Sequence, residues 1–134
     1  MPPKRRIPGV PSEWLRRAQG DLALAKAPLP SGGFYEDLAF HAQQAAEKAV
    51  KAVYRAKSLE FRYTHDIGQL LAGLTKRGVP IPERVQDAVA LTDFAWEARY
   101  PGLGELLSEA GYRRAVSIAE KVVDWAVNLV EESS

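Results

Sequence analysis

The sequence predicts an all-α fold, an up-and-down antiparallel bundle of four or five helices. Apolar residues recur at helical spacing over long segments, and no segment alternates apolar and polar residues over the length of a strand. Proline and glycine fall in clusters between the periodic segments rather than inside them. The 134 residues are 46% hydrophobic and 26% charged, which suits one domain able to bury its own core.

Residues 1–11 carry prolines and Lys4, Arg5 and Arg6, and read as a flexible basic arm ahead of a single domain over 12–134. Ser12 is the expected N-cap of the first helix, with Trp14, Leu15, Ala18, Leu22 and Ala25 in register and an end near Ala27 before Pro28 and Pro30. After Ser31-Gly32-Gly33 a long second helix is expected from about Phe34 to Lys57. Leu38, Ala42, Ala45, Ala46, Ala49 and Val53 share one side of it. Asp37, His41, Gln44, Lys48, Lys51 and Arg55 form a polar stripe on the other. Thr64 is expected to cap a third helix over Ile67, Leu70, Leu71 and Leu74, stopped by Gly78. Pro80 and Pro82 open a fourth, running through Val85, Ala88, Val89, Leu91, Phe94 and Ala95 until Tyr100-Pro101-Gly102. The last helix, about Ser108 to Val130, has an apolar arc wider than half its circumference. Such an arc touches two neighbours, or one neighbour and a second subunit.

Composition excludes several functions. There is no cysteine and there are two histidines, which leaves no disulfide, thiolate metal site or histidine-rich metal cluster. No apolar run approaches the roughly 20 residues of a membrane span, and the basic N-terminus lacks an apolar signal core, so a cytoplasmic protein is expected. A net charge of +1 gives no global drive toward nucleic acid. The Pro-, Arg- and Ala-rich composition with a single Met suits a thermophile with a GC-rich genome. Phosphate-cradling glycine loops, nucleophile elbows and paired catalytic carboxylates are missing, and no cofactor is implied.

Three segments, taken together and in this order, resemble the HEPN family (higher eukaryotes and prokaryotes nucleotide-binding domain). Residues 40–52, Phe-His-Ala-Gln-Gln-Ala-Ala-Glu-Lys-Ala-Val-Lys-Ala, are similar to its long second helix. Tyr63-Thr64-His65-Asp66-Ile67 is similar to the family's Thr-His-Asp start of helix three, and Arg99-Tyr100-Pro101-Gly102 to its Arg-Tyr-Pro break after helix four. The resemblance covers about residues 12–130. It implies a helical bundle, commonly a homodimer, of the small stand-alone kind encoded beside a minimal nucleotidyltransferase. The two would act as a toxin–antitoxin-like pair, with a nucleotide or RNA as the associated ligand. Some branches are metal-independent RNases in which an arginine precedes a histidine by five to seven positions. This sequence departs from that pattern: Arg62 lies three residues before His65, and neither histidine has an arginine at the required distance.

Each candidate residue carries two readings. His65 and Asp66 suit a general acid/base or phosphate-facing pair; the favoured alternative is that Thr64, His65 and Asp66 simply cap helix three. His41, Gln44, Lys48 and Lys51 offer phosphate donors on one face, against the favoured reading of a solvated stripe with an ordinary Glu47–Lys51 helix pair. Arg99 with Tyr100 reaches a ligand or answers the helix dipole. The aromatics Trp14, Phe94, Trp96 and Trp125 are expected to pack rather than stack on bases.

The leading expectation is a non-catalytic binding module with His65, Arg99, Lys48 and Lys51 about a polar cleft. The second is an RNase toxin using His65 with Arg62 or Arg99, and the third a ligand-free structural protein.

Overall fold

In the computed structural model, residues 10–92 and 107–133 are described, and every regular element among them is helical. The elements are α1 (Pro11–Ala25), α2 (Tyr35–Ala56), α3 (Ile67–Lys76), α4 (Glu83–Gln86) and α5 (Glu109–Glu132). None of these is long and apolar enough to cross a membrane.

α2 is the central helix. It packs on α1, α3 and α5, while α5 also meets α1 and α4. Small side chains make the approach close: Ala42, Ala45, Ala46 and Ala49 of α2, Ala18 and Ala25 of α1, and Ala119 and Ala126 of α5 are all fully buried. Larger side chains from α3 (Ile67, Leu70, Leu71 and Leu74) close one end of the core, with Val85 from α4. Burial of each such side chain is worth about 1.5–3 kcal/mol. The apolar arc of α5 buries Ile118, Val122, Val123 and Trp125 among its neighbours, while Val116, Val127, Leu129 and Val130 stay partly exposed.

The helix ends refine the sequence reading. α1 is capped at Val10 rather than Ser12, because Pro11 fits the first helical position, where no N–H is needed. α3 is capped by Asp66, whose side chain accepts from Gln69 N at 3.2 Å; Thr64 lies one step outside and accepts from Asp66 N at 3.1 Å. The expected fourth helix is interrupted. Turns close i to i−3 at Ala88, Ala90 and Leu91, so α4 stops at Gln86 and residues 89–92 are helical again. Ser108 caps α5 through Gly111 N at 3.0 Å.

Two C-termini close with the same device. After α3, Gly78 takes φ +85° while Val79 N bonds Leu74 O and Gly78 N bonds Thr75 O. After α2 the bonds are Leu59 N to Tyr54 O and Ser58 N to Arg55 O, with Ser58 at φ +57°. A serine there accepts a conformation that favours glycine.

Side chains tie the far end of the bundle. Buried Glu36, in the first turn of α2, accepts from Leu107 N at 2.5 Å, and Tyr35 stacks on Tyr112 at 5.0 Å between ring centroids. Tyr112 Oη in turn donates to Ala25 O, one of the carbonyls that α1 leaves open.

Candidate functional site

The polar stripe of α2 is wider than the sequence suggests and is not simply solvated. At 100° per residue it runs around the helix as Gln43, Glu47, Lys51, Gln44, Lys48 and His41. α1 supplies Asp21 at the His41–Lys48 edge, and the α2–α3 connection supplies His65 at the Glu47 edge.

At the first edge, Asp21 Oδ1 meets His41 Nδ1 at 3.0 Å and Asp21 Oδ2 meets Lys48 Nζ at 2.5 Å. At the second, Glu47 Oε2 accepts from His65 Nδ1 at 2.9 Å and from Lys51 Nζ at 2.8 Å. Gln43 Nε2 donates to Glu47 Oε1 at 3.2 Å and reaches His65 O at 3.4 Å, and Gln44 Nε2 donates to Gln43 Oε1 at 2.8 Å. The same unit therefore occurs twice: a histidine, a buried carboxylate and a lysine. A carboxylate can only accept, so each imidazole carries its proton on Nδ1 and is left with Nε2 for any ligand.

The Glu47–Lys51 pair departs most from its expected role as a surface contact. The two side chains are 3% and 6% exposed. Trp14 and Phe61 cover Lys51 Nζ, which lies 5.6 and 5.3 Å from their ring centroids, and the two rings meet edge to face. Lys51 is thus part of the core's polar lining and its ammonium is committed to Glu47.

The other candidates divide clearly. His65 is 69% exposed with Tyr63 against its ring, so it is a surface group held from below and not a cap. Asp66 is the cap. Lys48 reaches a hollow of about 480 Å³ along α1, whose wall includes Arg16, Arg17 and Asp21. Arg62 is exposed and lines a different cleft, below α3. Arg99 and Tyr100, with Phe94 and Trp96, lie outside the described residues. Trp125 is core, as expected.

The sequence reading missed Asp21. The signal was present: Asp21 is three residues after Ala18 and four before Ala25, a carboxylate on α1's apolar face. Among the described residues no group of three or more metal-binding side chains converges. The site orients hydrogen-bond donors and acceptors, and each of its lysines is already paired with a carboxylate.

Among the described residues, α2 with its polar stripe packs against α1, α3 and α5, and a Thr-His-Asp sequence leads into α3. The HEPN domain model matches residues 11–130. The crystal structure of an archaeal HEPN homologue is 27% identical, covering 90% of this chain and 98% of its own, with a TM-score of 0.71. That of a Thermus thermophilus protein is 28% identical, covering 92% and 98%, with a TM-score of 0.70. No curated protein matches the chain. The chain belongs to the HEPN domain family.

Proposed function

We propose that this HEPN domain works by binding rather than by cutting, as the partner of a minimal nucleotidyltransferase in a toxin–antitoxin-like pair. One observation carries the reading: His41 and His65 are each fixed through Nδ1 to a carboxylate that a lysine also holds. Groups locked in this way present Nε2 in one orientation, which lowers the ordering cost of recognition. Gln44, between them on α2, adds a further polar group. The partner or its nucleotide is met along this edge, and the chain pairs as a homodimer, as is common in the family.

The experiment is co-expression with a minimal nucleotidyltransferase from the same genome, followed by size-exclusion chromatography with light scattering. A stable complex, weakened by His41→Ala with His65→Ala, supports the reading, and the same run reports the homodimer. A chain that elutes alone at every ratio contradicts it.

The RNase reading keeps one specific support. A histidine whose Nδ1 is held by a carboxylate is oriented as a general base needs to be. Metal-free cleavage of tRNA that disappears in His65→Ala would establish it; intact RNA would end it.

A further inference from the structure

Another cleft lies away from the α2 stripe, between the α2–α3 connection and the outer face of α3. Its volume is about 160 Å³. Arg62 and Thr64 come from the connection, and Gln69, Gly73, Lys76 and Arg77 from α3 and its cap. The charge balance is one-sided: among the described residues, Arg62, Lys76 and Arg77 share the lining with a single carboxylate, Glu60.

The floor is a built feature. Tyr54 Oη donates to Leu70 O at 2.5 Å, and a Cβ on Gly73 would sit 2.2 Å from that hydroxyl. Glycine is therefore required for the phenol to lie where it does. Arg77 is fixed by its Nη1, which donates to Glu60 O at 3.1 Å, and its charge reaches the floor: it acts against the burial that raises the Tyr54 pKa. The dipole at the end of α3 accounts for a cation at Lys76. It does not account for Arg62, which arrives from the other wall. The remaining guanidinium N–H groups, the Lys76 ammonium, the Thr64 hydroxyl and the Gln69 amide form a donor set of the kind that recognises phosphate oxygens.

The geometry points to a phosphate-group site here, distinct from the histidine edge. The cleft has room for the phosphate and leaves the rest of the ligand outside. The ligand is a phosphate ester, from either a free nucleotide or an RNA chain, and its affinity falls with salt because side-chain charges hold it.

The test is an amide-resolved NMR titration of the full chain with inorganic phosphate, adenosine monophosphate and a short single-stranded RNA. Saturable shifts centred on Arg62, Thr64, Gln69, Gly73 and Arg77 are expected. Arg62→Glu with Lys76→Glu, both exposed, should weaken binding at least about tenfold, the loss of one or more charge-assisted bonds. Its spectrum away from the cleft reports that the fold is intact. Shifts with phosphate and the mononucleotide identify a free-nucleotide site; shifts with RNA alone identify a backbone site. Shifts elsewhere, none with any of the three probes, or equal affinity in the variant overturn the proposal. Because the histidine edge is untouched by these substitutions, partner binding can fail or persist independently.

Discussion

Lys51 and His65 converge on one carboxylate oxygen, Oε2 of Glu47, at 2.8 and 2.9 Å. One of these groups is sealed under Trp14 and Phe61, and the other stands at the surface. Glu47 therefore joins the core to the site.

Removing the carboxylate strands Lys51 where water cannot reach it. Glu47→Gln should destabilise the fold by about 3 kcal/mol, the scale for a buried charge left without its partner. Replacing both residues by apolar ones, Glu47→Leu with Lys51→Met, should return stability to within about 1 kcal/mol of the parent. Urea denaturation of the parent and the two variants measures this. A double variant that loses as much stability as Glu47→Gln would contradict this account of the buried pair.

Gly73→Ala forces Tyr54 off Leu70 O and should cost about 2 kcal/mol, from overpacking and a broken buried hydrogen bond. Adding Tyr54→Phe removes the 2.2 Å conflict and leaves ring carbon at 3.5 Å, an ordinary contact. The double variant should then be more stable than Gly73→Ala alone, an inversion that thermal melts would detect.

Burial raises the Tyr54 pKa above 10.0, with Arg77 opposing it. The folded state thus holds the phenolic proton more tightly than the unfolded state. The stabilisation is fully present below pH 10 and is lost as pH climbs past it. Tyr54→Phe should flatten this part of the stability–pH curve, and its tyrosinate absorbance should lose one late-titrating phenol relative to the parent.

Ser58 holds a left-handed conformation at the end of α2. Ser58→Gly should stabilise the protein by about 1 kcal/mol by removing that strain. A loss of stability in denaturant would mean that the serine has a further role.

Much of this was legible in the sequence, and the exceptions share a cause. Helix positions, the alanine contact face of α2 and the Gly78 stop follow from periodicity and backbone chemistry that act within a few residues. The burial of Lys51 does not. In sequence Glu47–Lys51 is an ordinary pair four residues apart, and what covers it comes from Trp14 in α1 and Phe61 in the connection. The role of His65 was misread for the same reason, since its partner lies on α2 and not in the turn it seemed to cap. Thr64 lost the cap to Asp66 because both have capping side chains and only the local backbone decides between them. Ser58 was missed because the left-handed position there is filled by a residue that gives no such signal.

Co-purification with the nucleotidyltransferase tests the central claim most directly. The account predicts a stable complex by light scattering, undiminished by Arg62→Glu with Lys76→Glu and weakened by His41→Ala with His65→Ala. A chain that stays apart from the enzyme and degrades RNA through His65 would contradict it.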